Sequence, residues 1–306
     1  MNTERVKEQA RQAGADLVGV ADPELFRQEP GSRSPFAIFP ECRAVIVLGR
    51  RILRGALRGV EEGTNFGSTY RHFGHTWLED NFLSQTNYDL TCWIEERGFE
   101  AVPLFGYNEE GMPKGMPVAE GRPAPNVYIG VNFAAQAAGL GEVGLGDFFI
   151  TPEFGIRQRF CIILPDAELE HDRPSSKQIC EDCGACAQAC PLNAIDLDKR
   201  HTVGVPGYEH EVAEVDYAIC RQCPNGASMA GGRGSRPDRL AAACARACMI
   251  RLENAGKCGN TFKNPFRKRQ PWALDALARP ASTASQTENA AALGCGSATV
   301  DPQNKS

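Results

Sequence analysis

A chain of 306 residues is long enough for two domains of ordinary size, or for one domain with an insertion. Its 42% hydrophobic and 23% charged residues are an ordinary globular composition, which excludes a mostly disordered, collagenous or coiled-coil chain. With 33 basic against 38 acidic residues the net charge is −5, so no electrostatic footprint invites a polyanion and nucleic acid is not expected as a partner.

The pattern alternates helix and strand from the start. Val6, Ala10 and Ala13 recur at helical spacing, and the short apolar run LVGVA follows. AVIVLG (44–49) is continuous and β-branched, as in a strand covered on both faces. Trp77, Phe82, Tyr88, Leu90, Trp93 and Ile94 predict one or two helices between Thr76 and Arg97, ended by Gly98. EAVPLF (100–105) and RFCIIL (159–164) read as further strands, with a Gly- and Pro-rich loop over the sheet from Gly106 to Gly121. No apolar run approaches the roughly 18 residues of a membrane span. The N-terminal stretch has neither an apolar signal core nor a twin-arginine pair, so a cytoplasmic location with no membrane partner is expected. A polar Pro/Ser break (171–178) precedes a dense run of cysteines. From about Pro271 the composition turns to Ala, Ser and Thr, with little basis for a packed core. The expected organisation is an α+β domain over 1–168, a ferredoxin-like domain over 169–268 and a tail over 269–306.

Nine of the 13 cysteines fall between Cys180 and Cys258. In a chain of this length without a leader, such clustering points to metal ligation and reduced thiols rather than a disulfide framework. CEDCGACAQACP (180–191) is C-x2-C-x2-C-x3-C-P, in which three cysteines wrap one cubane and the fourth serves its neighbour in two-cluster ferredoxins. A structural zinc site is the alternative, although its cysteines usually come as separated pairs. Cys220, Cys223, Cys244 and Cys248 supply a second set as C-x2-C, a 20-residue insertion and C-x3-C. Ala242 to Leu252 reads as a helix that carries Cys244 and Cys248 one turn apart. By analogy with the ferredoxin cross-over, Cys180, Cys183, Cys186 and Cys248 hold one [4Fe–4S] cluster, and Cys190, Cys220, Cys223 and Cys244 hold the other. Met249 stands where a proline usually follows Cys248, and Cys258 is a possible replacement ligand. Two cubanes make a one-electron conduit, so something in the first domain must exchange those electrons.

Gly139, Gly141 and Gly144 match G-x-G-x-x-G, yet NFAAQAA before them reads as helix and DFFITPEF after them does not, so a dinucleotide fingerprint is excluded by context. What remains is a tight connection, or a loop whose backbone lies close to a large flat ligand.

The runs AAGLGEVGLGDFFITPEFGIRQRF (137–160) and YRHFGHTWLEDN…WIEERGFEAVP (70–103), joined to the cysteine motif, resemble the cobalamin-dependent iron–sulfur reductases. That family contains reductive dehalogenases and epoxyqueuosine reductases. The resemblance implies a nitroreductase-like α/β domain holding base-off cobalamin, fed by two [4Fe–4S] clusters from an external low-potential donor such as ferredoxin or flavodoxin. It implies reductive cleavage of a small molecule, with Gly139, Leu140, Gly141, Glu142, Gly144, Thr151 and Phe154 against the corrin. In dehalogenases a tyrosine helped by a basic residue protonates the product. Arg159 matches the basic position, but Asp80 stands where the tyrosine belongs, which leaves Tyr88, Tyr107 and Tyr128 as substitutes. His72 and His75 are further candidates, since imidazole carries a proton near neutral pH. Arg157 and Arg159 are candidate contacts for an anionic substrate. The aspartate that epoxyqueuosine reductases carry before A-G-L-G is absent from PAPNVYIGVNFAAQ, so a tRNA substrate is not expected. An electron-transfer protein serving a partner corrinoid protein, and an iron–sulfur flavoprotein, are the other readings.

Overall fold

In a computed structural model, which describes residues 1–105, 115–228 and 236–282, the β-branched runs of the N-terminal half pair into one sheet. Its strands are β1 (Leu17–Ala21), β2 (Val45–Arg51) and β3 (Ala101–Leu104), then, after a hairpin of β4 (Glu142–Gly144) and β5 (Phe148–Ile150), β6 (Gln158–Pro165). The spatial order is β1-β2-β6-β3 and every pairing is antiparallel, an α+β arrangement as expected.

Side chains alternate across the pleat, and both faces are apolar. Ile46, Leu48, Cys161 and Ile163 face the helices Thr3–Gln12 and Ser84–Glu95, which contribute Val6, Ala10, Leu90 and Ile94. Val45, Val47, Ile162 and Leu164 face the helix Val131–Ala137 through Ala134, Ala135 and Ala137. The first helix starts at Asn2, whose side chain accepts the Arg5 N–H at 2.9 Å, and Gly98 at φ +81° follows the second, as its C-cap reading requires.

Between them the chain departs from regular α geometry. Gly67–Thr76 and Leu78–Leu83 wind in wide π turns, as in the Arg71 N–H to Phe66 carbonyl bond of 3.0 Å. Such turns are uncommon and frequent at functional sites.

The cysteine half is built from a hairpin of β7 (Ile195–Val203) and β8 (His210–Val215), the short helices Ala185–Gln188 and Tyr217–Cys220, and the helix Ala243–Asn254. Its core is not separate from the first half. Cys186, Cys220, Cys244 and Met249 share one apolar cluster with Ile52, Leu57, Val60 and Leu78. Beyond residue 268, where the sequence reading places a tail, the stretch around Trp272, Ala273 and Leu274 packs. The Trp272 indole N–H donates to the Val60 carbonyl at 2.9 Å, Asn225 holds Leu274 through both its backbone N–H and carbonyl, and Ala273 is buried. One tryptophan side chain supplies the apolar area that the surrounding small residues lack.

A buried ion cluster joins the two halves. Glu61 accepts from Arg246 at 2.8 Å and from Arg267 at 2.6 Å, and Arg246 also donates to the Ala241 carbonyl at 2.7 Å. Removing the acid leaves a buried guanidinium uncompensated, so Glu61→Gln is expected to cost about 3–5 kcal/mol, read as a lower denaturant midpoint with the m-value unchanged.

Candidate functional site

The cysteine spacing folds into two groups around the helix Ala243–Asn254. Cys180, Cys183, Cys186 and Cys248 line one small cavity with Gly144 and Gly146. Cys244, one turn before Cys248, shares its electrostatic surroundings with Cys190, Cys220 and Cys223, whereas Cys248 shares its own chiefly with Cys186, Cys180 and Cys183. Among the described residues no three His, Cys, Asp or Glu side chains close on a single ion.

The surroundings fit iron–sulfur clusters. A Cβ at Gly146 would stand 2.8 Å from Cys186 Sγ, so only glycine leaves room beside that sulfur. Leu145 N–H donates to Cys180 Sγ at 3.3 Å and Ala194 N–H to Cys190 Sγ at 3.4 Å, the bonds a thiolate ligand uses. Burial pushes Cys186 and Cys220 up to about 11 and Cys244 up to about 12. Without a metal these are thiols, and iron would have to displace their protons. Cys258 lies apart, beside Arg157 and Glu253, and joins neither group.

The glycine-rich segment packs closely against the protein's own backbone. It is the β4–β5 hairpin, and Glu142, 1% exposed, spends both carboxylate oxygens on three successive backbone N–H groups, those of Gln178, Ile179 and Cys180. The carboxylate thereby fixes the entry to the cysteine loop and has no oxygen left for a cofactor. Gly141 at φ +156° lets its backbone meet Ile150, and Gly139 packs on the Arg173 carbonyl. Gly144 packs on Cys180, Leu140 on Gly19, and Thr151 bonds Gln158 and Phe154 N–H, while Phe154 is core. These seven positions, expected against a corrin, make these contacts within the hairpin and the cysteine loop, with Gly139 exposed and Leu140 half-buried.

A cavity of about 200 Å³ lies over Phe148, Phe149 and Phe160. Of the expected catalytic residues it brings together two, His75 and Arg159. Tyr128 stacks on Arg33 outside it, and Tyr107 lies outside the described residues. The π turns deliver His75 and Glu79 to the cavity wall, where His75 Nε2 is 3.4 Å from the Glu79 carboxylate. Arg159 donates to the Gly74 carbonyl at 3.1 Å, to Tyr70 Oη at 3.0 Å and to Asp238 Oδ2 at 2.8 Å, and its Nη1 is 3.4 Å from Glu79. Tyr70, absent from the sequence reading of tyrosines, donates to Asp238 at 2.8 Å but is buried behind Arg159 and is not part of the lining. Burial, reinforced by Asp238, holds its hydroxyl far above the usual tyrosine range.

Asp238 was also missed. Burial alone would raise its carboxyl, but the charges of Arg159 and His75 together with the hydrogen bonds from Tyr70 and the Leu240 N–H outweigh that and hold it below the usual aspartate value. On the opposite wall Tyr217 donates to Asp147, which pairs with Arg236 at 3.0 Å, and Arg239 lies over Phe148. The segment RPDR (236–239) between the cysteine pairs was the available signal. Val131, Phe149 and Phe160 offer apolar faces and Asn132 an amide, groups of the kind a corrin and its amide rim would meet, beside a wall of charged side chains. At about 200 Å³ the cavity itself is sized for a small molecule.

Residues 179–252 match a family model described as a 4Fe-4S dicluster domain. Over 138 residues the chain is 41% identical to a tetrachloroethene reductive dehalogenase of Desulfitobacterium hafniense, covering 44% of this chain and 21% of that protein. A tetrachloroethene reductive dehalogenase of Sulfurospirillum multivorans is 26% identical over 233 residues, 65% of this chain and 41% of the relative. The chain thus spans less than half the length of these curated relatives. Among solved structures, a variant of a catabolic reductive dehalogenase superposes with a TM-score of 0.54 at 19% identity, over 95% of this chain and 36% of that one. A second reductive dehalogenase, whose structure suggests a mechanism for B12-dependent dehalogenation, gives 0.53 at 18% identity over 99% and 41%. The fold and site are those of an iron–sulfur protein with a ferredoxin-like domain on an α+β partner. Its resemblance is to the reductive dehalogenases, as the sequence motifs implied. Among the described residues no helix is long and apolar enough to cross a membrane.

Two outcomes follow from this geometry. Glu142→Ala unpairs three backbone N–H groups at the cysteine loop, so iron content after reconstitution is expected to fall while the far-UV spectrum is retained. The Asp238 carboxylate, its value depressed by folding, adds stability that is complete above the unfolded carboxylate range and is lost as pH falls through the folded value. Urea midpoints of the unsubstituted chain should therefore drop more steeply than those of Asp238→Asn once the pH passes below about 4.

Proposed function

We propose that the chain is a reductase in which two [4Fe–4S] clusters pass low-potential electrons to base-off cobalamin for dehalogenation-like cleavage of a small molecule. Cys180, Cys183, Cys186 and Cys248 hold one cluster, and Cys190, Cys220, Cys223 and Cys244 the other. The observation that carries the reading is the sorting of these eight thiols into two groups that adjoin a cavity lined by His75 and Arg159. An external ferredoxin or flavodoxin supplies the electrons in the cytoplasm, and neither nucleic acid nor membrane takes part.

Bound cobalamin supplies a low-potential metal centre whose redox chemistry breaks the substrate bond. The protein supplies the rest. Val131, Phe149 and Phe160 would face the ring and Asn132 its amides. His75, held by Glu79, is the group on the wall able to hand a proton to the product at Nε2. Arg159, locked by Asp238, Tyr70 and the Gly74 carbonyl, fixes the wall that carries His75 and holds its positive charge beside the leaving group.

Anaerobic reconstitution followed by metal analysis and EPR tests this reading. About eight irons per chain and a base-off cob(II) signal after addition of cobalamin are expected. Protein that takes up iron but no cobalamin would overturn the corrinoid assignment. With both present, His75→Gln should lower turnover by 10²–10⁴-fold while leaving the cobalamin spectrum unchanged.

A further inference from the structure

Arg239 has a feature that the cavity alone does not explain. The residue is 6% exposed, and its Nη2 donates to the carbonyls of Gly146 and Asp147, both at 2.9 Å. Its guanidinium carbon lies 4.4 Å from the Phe148 ring centroid and 5.2 Å from that of Tyr217. Its Nη1, fully buried, has no hydrogen-bond partner among the described residues. An unpaired buried guanidinium donor costs more than a neutral one, so such a group calls for a missing acceptor.

The surroundings identify that acceptor's chemistry. The Tyr217 ring over which Arg239 lies belongs to the short helix that ends in Cys220, and the backbone it grips is the hairpin turn beside the cysteine loop. The Arg239 carbonyl accepts from the N–H of Ala242 at 2.8 Å, the residue that caps the helix carrying Cys244, so Arg239 touches the segments that bear Cys220 and Cys244. Both belong to the group formed with Cys190 and Cys223.

We propose that Arg239 donates from Nη1 to a sulfur of the cluster held by Cys190, Cys220, Cys223 and Cys244, and that its charge sets that cluster's reduction potential. The role rests on the two-cluster reading. Reduction adds one negative charge to the cluster and no bond forms or breaks, so a fixed positive neighbour favours the reduced form. Hydrogen bonds and net charge are the levers by which a protein tunes such clusters.

Potentiometric EPR on the reconstituted full chain tests this, with iron counted in each preparation. Arg239→Met should make the reduction of one cluster about tenfold less favourable, which is about 59 mV more negative for a one-electron couple. The other cluster should keep its potential. Arg239→Lys retains the charge and should lie between the two, and the shifted signal should be the one altered in Cys223→Ser. Eight irons with both potentials unchanged in Arg239→Met would overturn the proposal. About four irons in the unsubstituted chain would instead refute the two-cluster reading, a failure visible before any substitution is made.

Discussion

A buried carboxylate must find donors for its oxygens, and Glu142 finds all of them in three consecutive amides at the start of the cysteine loop. This one interaction fixes where the cysteine half begins relative to the β4–β5 hairpin. With the entry fixed, Leu145 N–H reaches the Cys180 sulfur and Gly146 leaves room for that of Cys186. The hairpin then serves both sides of the molecule, since Phe148 lines the cavity as well as the cysteine pocket. The boundary between the two expected domains is thus a shared wall, and the apolar cluster that contains Cys186, Cys244 and Leu57 together shows the same continuity.

Charge organises the cavity as firmly as packing does. Arg159, Asp238, Tyr70 and Glu79 form one network in which each polar atom is matched, and its members come from the π turns, from β6 and from the segment before the last helix. Because a buried network of this kind is costly when incomplete, it locks three segments distant in sequence into one arrangement. His75 and Glu79 inherit their positions from that lock.

The strands were legible because continuous β-branched runs have few other homes, and β2, β3 and β6 fall within a residue or two of the runs that predicted them. The cysteine groups were legible because ligand spacing is local. The cavity was not. Tyr70, Asp238 and Arg239 act through partners 79 to 168 residues away in the case of the Arg159, Tyr70 and Asp238 contacts, and pairwise burial of that range leaves no local pattern. The glycine motif has contacts that local spacing does not show for a related reason. Its glycines, with Glu142 among them, suggested approach to a cofactor, whereas the backbone they bring close belongs to the protein itself. Trp272 likewise sits in a stretch whose composition signals a tail, yet one indole and one asparagine suffice to hold it.

The π turns between Gly67 and Leu83 bear on how this chain tolerates change in length. A π turn is an α turn with a residue to spare, so losing one residue there would let the segment relax into an ordinary helix. Each helical residue subtends about 100°, so such a deletion would swing every later side chain of the segment by that angle relative to those before it. Tyr70 and Glu79 now reach the same arginine from opposite ends of the stretch, and after that rotation they could not. The segment is a fixed-length spacer in a part of the chain that resembles ordinary amphipathic helix. Substitution at its exposed positions is cheap, whereas insertion or deletion would act as a switch that takes the wall of the cavity apart.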